Sequence, residues 1–265
     1  MPPIGKTPTW SYHGSKSTIA KWIIGYMPKN IRTYSEPFAG RANVYFRLVT
    51  TSGYTVSQSF LNDKFNADWY KAIFEYKGNW DFIPDIVNQD IFEKWKDSPD
   101  SIERTLIEPI VSYHSNRYNM NSAASSDVGS TFYSPNFAAN WKKKYILTQD
   151  ILLKNNPTIS ALDYLEFLGG LGDLSTTDVV YLDPPYVAWY DEKRTYPNID
   201  HTKLLSIIKT LPCKILISNY YNELYAKNLS NWRLEIKERV SAAKGRQLGH
   251  ANGRTKVQEC LWMNF

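Results

Sequence analysis

Cysteine and histidine are scarce in this sequence of 265 residues, which holds two cysteines and four histidines. Cys213 and Cys260 are too few for a disulfide framework or a zinc cluster. Both lie in apolar runs, so we expect buried free thiols. No metal-ligand spacing surrounds His201 or His250, and we therefore predict no catalytic metal.

Long apolar segments and a dinucleotide fingerprint are also missing. No uninterrupted apolar run approaches the length that crosses a membrane, and residues 1–6 lack the hydrophobic core of a signal peptide. These absences favour a cytoplasmic protein with no membrane partner. The Gly-x-Gly-x-x-Gly motif that marks many nucleotide-cofactor sites does not occur in the sequence.

The composition is ordinary for a soluble globular protein, with 43% hydrophobic and 22% charged residues. Its length suits one large domain, or one domain with an insertion. The formal net charge of +5 permits a polyanionic partner without requiring one. Aromatic residues reach 15% and can stack on nucleic-acid bases, although we expect most of them in the core.

The most informative stretch is Asp183-Pro184-Pro185-Tyr186, which follows the apolar run 179–182. That run predicts a buried strand, and the two prolines, which lack an N–H, end its hydrogen-bond ladder. Ligands of open α/β sheets bind at the carboxyl ends of strands. There, the Asp183 carboxylate and the Pro184 carbonyl can each accept one hydrogen of an exocyclic amine, while Tyr186 stacks on the base. The alternative is a loop without chemistry.

Two further strand ends carry residues that suit a nucleoside. The predicted strand 31–36 ends at Glu36 and runs through Phe38 into Gly40, whose turn lets a cofactor approach the backbone. The next strand ends before Asp63, 23 positions after Gly40, where an acid can hold two ribose hydroxyls. A structural turn at Gly40 and a helix cap at Asn62 or Asp63 are the alternatives.

A third candidate segment precedes a predicted amphipathic helix near the N-terminus, where Tyr12 and Lys16 flank Gly14. A lysine can bind a carboxylate, and a tyrosine can face a sulfonium cation. The alternative is an amphipathic helix that needs no function to explain it.

Residues 80–150 interrupt the sheet pattern with predicted helices and a small polar run at 119–130. Basic and aromatic residues flank this run, an arrangement that suits phosphates and stacked bases. These candidates for DNA binding are Asn116, Arg117, Tyr118, Lys142, Lys143 and Lys144. A solvated basic face is the alternative.

The C-terminal part predicts strands at 213–218, 232–236 and 257–262. The last two form a hairpin that closes the sheet. The cationic loop 244–254 between them can contact phosphate.

The order of these segments resembles the Dam-like family of DNA adenine methyltransferases. The segments that carry the resemblance are Tyr12-His13-Gly14-Ser15-Lys16, the run from Glu36 to Phe46, the run from Asn62 to Asn66, and Asp183-Pro184-Pro185-Tyr186. The resemblance extends over about residues 10–77 and 160–222. Two departures stand out, since Ala42 replaces the second glycine of the family and Phe65 is inserted before Asn66.

The resemblance implies a doubly wound, Rossmann-like α/β methyltransferase sheet with an inserted, mostly helical target-recognition region. The catalytic domain would comprise residues 1–79 and 151–265, and the recognition region residues 80–150. The cofactor would be S-adenosylmethionine, held by Tyr12, Lys16, Glu36, Phe38, Gly40, Asp63 and Asp183. The catalytic residues would be Asp183, Pro184, Pro185 and Tyr186.

The substrate that the resemblance implies is an adenine flipped out of double-stranded DNA, in a prokaryotic or phage-infected cell. One rival is an RNA or protein amine methyltransferase, although the latter class typically has Asn in place of Asp183 and the order of the motifs argues against it. The other rival is a catalytically silent nucleic-acid-binding module, which Ala42 leaves open. The oligomeric state and the recognition sequence do not follow from the residues.

Overall fold

The computed structural model describes residues 7–10, 14–85, 89–111, 137–187, 199–241 and 255–265. The predictions for Tyr12, Asn116, Arg117, Tyr118 and the loop 244–254 lie outside the described residues. No helix in those ranges is long and apolar enough to span a membrane. Nor do the same ranges contain a group of three or more acidic, histidine or cysteine side chains that could hold a metal ion.

A seven-stranded sheet forms the centre of the described chain. Its strands are β1 (Asn30–Glu36), β2 (Thr55–Asn62), β3 (Thr158–Ser160), β4 (Val179–Leu182), β5 (Lys214–Tyr220), β6 (Arg233–Ser241) and β7 (Thr255–Met263). The order across the sheet is β3-β2-β1-β4-β5-β7-β6. Strands β1 to β5 pair in parallel, whereas β7 runs antiparallel to both of its neighbours.

The strand order reverses between β1 and β4, because β2 and β3 extend the sheet to one side and β4 and β5 to the other. Such a switch point opens a crevice at the carboxyl ends of the strands, where ligands bind. The topology confirms the predicted doubly wound, Rossmann-like fold, and the antiparallel β6–β7 pair confirms the predicted hairpin.

Nine helices of the described chain surround this sheet. They are α1 (Ala20–Ile24), α2 (Asn43–Thr50), α3 (Ala67–Glu75), α4 (Gln89–Lys96), α5 (Ile102–Val111), α6 (Phe137–Asn155), α7 (Tyr164–Gly169), α8 (His201–Ile208) and α9 (Glu223–Asn228). The carboxylates of Asp163 and Asp200 and the amide oxygen of Asn222 cap α7, α8 and α9 by accepting backbone N–H groups.

Both faces of the sheet are covered, and the short strand β4 shows why its sequence is uniformly apolar. All four of its residues are buried. Val179 and Tyr181 pack into the core on one face, and Val180 and Leu182 pack into the core on the other. Parallel strands that are covered on both sides need such continuous apolar runs. Cys213 and Cys260 are buried free thiols, as predicted.

The predicted recognition region shares a core with the first half of the chain. The rings of Trp80 and Tyr145 stack with centroids 4.9 Å apart, and Tyr145 lies 5.0 Å from Trp10. Leu106 of α5 is buried in the same cluster. Because these helices complete the main core, the division into a catalytic domain and a recognition region at residues 80–150 stays a prediction.

Candidate active site

The Asp-Pro-Pro-Tyr segment leaves the sheet at the carboxyl end of β4, beside the switch point. The side chain of Lys16, from the segment before α1, reaches this corner, and its Nζ donates a hydrogen bond to Asp183 Oδ2 over 2.7 Å. The same Nζ lies 2.7 Å from Oδ1 as an ion-pair contact and donates to the Gly14 carbonyl over 2.9 Å. Lys16 is only 4% exposed, so its charge is solvated by these oxygens rather than by water.

The pKa of the Asp183 carboxyl is set by burial and by Lys16. Burial raises this pKa above its ordinary value, and the Lys16 ammonium offsets part of the rise. Asp183 Oδ1 is buried and lies 2.7 Å from the Lys16 ammonium, but among the described residues none donates a well-aligned hydrogen bond to it. A carboxylate oxygen can accept more than one hydrogen bond. Oδ1 is therefore available to accept a hydrogen bond from a ligand at this corner.

Tyr186 is held by three neighbours. Its hydroxyl donates a short hydrogen bond to Glu259 Oε1. Its ring meets the ring of Tyr220 edge to face, with centroids 4.7 Å apart and planes at 80°. The Lys16 ammonium lies 4.8 Å from the centroid of the Tyr186 ring, within range of a cation–π contact. The ring that we predict to stack on a base is thus fixed in orientation.

Glu259, which the sequence reasoning missed, lies at the centre of these contacts. It belongs to β7 and its side chain is fully buried. Its Oε2 accepts a hydrogen bond from Arg239 Nε over 2.9 Å, and its Oε1 lies 4.0 Å from Lys16 Nζ. At the start of β7 the buried residues Val257 and Glu259 alternate with the exposed residues Lys256 and Gln258. An acid at an inward position of an alternating strand was the signal that could have revealed it.

Asp63 organises the glycine turn after β1. Its Oδ2 accepts a hydrogen bond from the Gly40 N–H over 2.7 Å, and its Oδ1 accepts from the N–H groups of Phe65 and Asn66 over 3.0 and 2.8 Å. Gly40 has φ of +54°, a conformation that favours glycine, and its carbonyl accepts from the Tyr70 hydroxyl over 2.7 Å. The turn that we named as an alternative is present, whereas the N-cap residue of α3 is Asn66 and Asp63 supports the loop before it. A second role of Asp63, on a ribose, stays a prediction.

Ala42, which replaces the second glycine of the family, has a left-handed backbone with φ of 47° and ψ of 33°. Its methyl group is fully buried where α2 begins. This conformation costs an alanine about 1–2 kcal/mol relative to the right-handed form. The turn therefore keeps a conformation typical of glycine in spite of the substitution.

Glu36 ends β1 as a buried acid close to the other carboxylates of the site. Its Oε2 accepts a hydrogen bond from the Tyr34 hydroxyl over 2.9 Å. Burial raises the pKa of Glu36 well above its ordinary value, and the charges of Asp183 and Asp63 add to the rise. A cationic ligand at this edge of the sheet would favour the ionised form of Glu36.

Phe38 follows Glu36 and is half-buried at the same edge. Its ring packs against the ring of Tyr164, the first residue of α7, with centroids 5.4 Å apart. This pair provides an apolar surface beside the Gly40 turn.

The three lysines predicted to bind DNA occupy consecutive positions on α6, and successive helical residues point about 100° apart. Lys142 forms an ion pair of 3.1 Å with Asp81. Lys144 lies over the rings of Trp10 and Trp141, 5.5 and 5.3 Å from their centroids, and burial lowers its pKa. Lys143 is exposed. The structure does not bring the three ammonium groups together into one patch.

A doubly wound sheet with an Asp-Pro-Pro-Tyr corner beside its switch point has a Rossmann-like architecture. Residues 12–100 match the family model of the D12 class N6 adenine-specific DNA methyltransferases. The match confirms the predicted resemblance over that range. It includes Lys16, Gly40 and Asp63, and it ends before Asp183.

The comparisons with solved structures and with curated proteins give less information about this chain than the family match. Among the solved structures that match is an rRNA methyltransferase, aviRa, from Streptomyces viridochromogenes, with 11% identity and a TM-score of 0.38. The alignment covers 96% of this chain and 88% of that one. No curated protein matches the sequence at a significant level.

Proposed function

We propose that this protein transfers a methyl group from S-adenosylmethionine to the exocyclic amine of an adenine in double-stranded DNA. The family match supports adenine as the methyl acceptor. The observation that carries the proposal is the hydrogen bond between Lys16 and Asp183, because it brings the N-terminal segment and the Asp-Pro-Pro-Tyr corner into one site.

The residues at the carboxyl edge of β1 and β2 fit the proposed cofactor. Asp63 Oδ2 accepts one hydrogen bond, from Gly40, and a carboxylate oxygen can accept more than one. The proposal assigns it a ribose hydroxyl and assigns the ring of Phe38 an apolar contact. Glu36 and Lys16 would hold the amino-acid end of the cofactor, together with Tyr12. S-adenosylmethionine supplies an electrophilic methyl group when bound.

The residues of the corner fit an amine. Asp183 Oδ1 and the Pro184 carbonyl would each accept one hydrogen of the adenine amine, which directs the nitrogen lone pair away from the ring and toward the methyl donor. Pro185 would hold the corner rigid, and Tyr186 would stack on the base. An adenine inside a duplex cannot reach this edge of the sheet, so the proposal includes base flipping. Positioning and electrostatics supply the catalysis, without a covalent enzyme intermediate.

The proposed path of the DNA passes residues 114–145. Lys143 would contact a phosphate, as would Arg117, and Asn116 and Tyr118 would read bases. Lys142 and Lys144 can join only if they leave Asp81 and the two tryptophans.

Sequencing that detects N6-methyladenine tests the function directly. Unmethylated genomic DNA is incubated with the protein and S-adenosylmethionine, and we expect methylation at a defined sequence. The Asp183→Ala variant should be slower by about 10²-fold or more, because it loses the acceptor of the amine hydrogen. Circular dichroism checks that the variant is folded.

Two results would contradict the proposal. Methyl transfer to RNA or protein but not to DNA would establish the rival enzyme class. Calorimetry that detects no S-adenosylmethionine binding would exclude the methyltransferase and leave the silent nucleic-acid-binding module as the alternative.

A further inference from the structure

Glu259 is a buried charge that no motif of the sequence accounts for. It lies on β7, paired with Tyr220 of β5 on one side and Lys237 of β6 on the other. Its side chain is fully buried. Burying a carboxylate is costly even when it is paired, and apolar replacements of buried ion pairs are often as stable. Fold stability alone therefore gives a weak reason for this acid.

The contacts of Glu259 point to the corner of the proposed site. One oxygen accepts from the Tyr186 hydroxyl and lies 4.0 Å from Lys16 Nζ. The other accepts from Arg239 Nε over 2.9 Å. Arg239 thus holds Glu259 from the β6 side, and Glu259 holds Tyr186 from the β7 side. With Asp183 on Lys16, the cluster contains two cations and two carboxylates.

The hydrogen bond from the Tyr186 hydroxyl to Glu259 limits how far the Tyr186 ring can move. A tyrosine that is fixed only by packing can still rotate about its Cα–Cβ bond, whereas a hydrogen bond at its far end fixes the direction in which the ring points. The edge-to-face contact with Tyr220 then restricts the plane of the ring. An aromatic surface that already has its bound orientation loses less conformational entropy when a base stacks on it. Removing the acceptor should therefore reduce stacking even if the ring remains.

We propose that Glu259 is a positioning residue that fixes the Tyr186 ring for stacking on the flipped base, an inference that rests on the function proposed above. Glu259 need not contact the substrate, because it acts through the Tyr186 hydroxyl.

Two double variants separate the effect of the Tyr186–Glu259 hydrogen bond from the effect of the Arg239 and Glu259 charges. Arg239→Met with Glu259→Met removes the buried pair and the Glu259 oxygen that accepts from the Tyr186 hydroxyl. The Asp183 carboxylate, which also interacts with that hydroxyl, is the same in both variants. Arg239→Met with Glu259→Gln removes the same two charges but keeps an amide oxygen that can accept from Tyr186. Removing both partners together avoids a lone buried charge, which is the usual cause of misfolding at such sites. Thermal melts check that both are folded.

We expect the Gln variant to methylate DNA faster than the Met variant by about tenfold, the rate equivalent of one hydrogen bond. Affinity for S-adenosylmethionine should be equal in the two. Tyr186→Phe, which keeps the ring but lacks the hydroxyl, should lower the rate in the Gln background and have no further effect in the Met background. Equal rates in the two double variants, or a full additional loss from Tyr186→Phe in the Met background, would overturn the inference.

A fluorine NMR spectrum tests the hydrogen bond between Tyr186 and Glu259 without any measurement of methylation. The protein is labelled with 3-fluorotyrosine, and the resonance that disappears in Tyr186→Phe is assigned to Tyr186. We expect this resonance to shift and broaden in the Met variant and to remain a single sharp line in the Gln variant. Identical Tyr186 lines in the two variants would overturn the inference. If the wild-type protein methylates no DNA, the proposed function fails, and this spectrum alone then decides whether Glu259 holds Tyr186.

Discussion

The ammonium of Lys16 and the carboxylate of Asp183 are joined by a 2.7 Å hydrogen bond although 167 positions separate them in the sequence. Burial raises the pKa of Asp183, and Lys16 is the cation that opposes this rise. The protonation state of Asp183, the proposed acceptor of the amine hydrogen, therefore depends on Lys16 in the N-terminal segment.

Replacing Lys16 should move the acid limb of the pH–rate profile. Asp183 accepts the amine hydrogen as a carboxylate, so activity is present above its pKa and is lost as the pH falls through that pKa. Lys16→Met removes the opposing cation, and the pKa of Asp183 rises further. We expect the acid limb of kcat/KM for DNA, at saturating cofactor, to move to higher pH. Lys16→Arg keeps the charge and should move it less.

The matched control for this prediction is Lys214→Met. Lys214 is the first residue of β5 and lies at the amino ends of the parallel strands, away from Asp183. Its ammonium donates to the Thr176 carbonyl. Its loss should leave the acid limb in place. Coincident limbs in the Lys16→Met and wild-type proteins would show that Asp183 does not titrate in the reaction.

Asp63→Ala should weaken S-adenosylmethionine binding by about 1–3 kcal/mol, the range for hydrogen bonds to a charged group. The proposed ribose bonds are lost, and the Gly40 N–H loses its acceptor as well. Isothermal titration calorimetry measures the affinity. Asp200→Ala is the control, because the Asp200 carboxylate also accepts a backbone N–H but has no proposed contact with the cofactor. A reduced affinity in both variants would mean that loss of a backbone contact, and not of a cofactor contact, explains the Asp63 result.

The left-handed backbone of Ala42 makes an unusual prediction for stability. Ala42→Gly relieves strain of about 1–2 kcal/mol and loses about 0.8 kcal/mol of methyl burial, so stability should change by less than about 1 kcal/mol. Ala72→Gly, the same exchange at a buried position inside α3, relieves no strain and should cost about 1.5–2 kcal/mol. Urea denaturation measures both. Equal losses in the two variants would contradict the assigned backbone strain.

The lysines of α6 should differ in their effects on DNA binding. Lys143→Gln should reduce the slope of log K against log salt by up to about one unit, the effect of one lost phosphate contact. Lys144→Gln should instead lower the melting temperature and leave the slope unchanged, because this ammonium lies over Trp10 and Trp141. Fluorescence anisotropy at several salt concentrations measures the slopes. A larger slope change in Lys144→Gln than in Lys143→Gln would place the DNA on the side of α6 that carries Lys144.

The sheet and the corner could be predicted because each depends on local signals. The buried run before Asp183 and the two prolines after it mark the end of β4 without reference to the rest of the chain. The contacts of Glu259 could not be predicted in the same way. They depend on β7 entering the sheet between β5 and β6, and the pairing order of strands is a property of the whole fold.

The helix α6 shows a second limit of sequence patterns. It spans 19 residues, Phe137–Asn155, and exposes Ile146 and Leu153 at its surface. Apolar residues on more than one side of a helix weaken the periodic pattern from which a helix is predicted. The run of three lysines is visible in the sequence. That their side chains point in three different directions follows only from their position on this helix.

The position of β7 has a consequence for the order in which the protein is assembled. Synthesis releases β5 and β6 before β7, and the two edges that face β7 have no strand to pair with until residues 255–263 emerge. Open edges of this kind invite pairing with other chains. Glu259 arrives with the same strand, so Tyr186 gains its acceptor in the step that closes the sheet. A growing chain that already contains the segments 12–16, 36–46, 62–66 and 183–186 still lacks Glu259. This residue is the second of the two carboxylates that pair with Lys16 and Arg239.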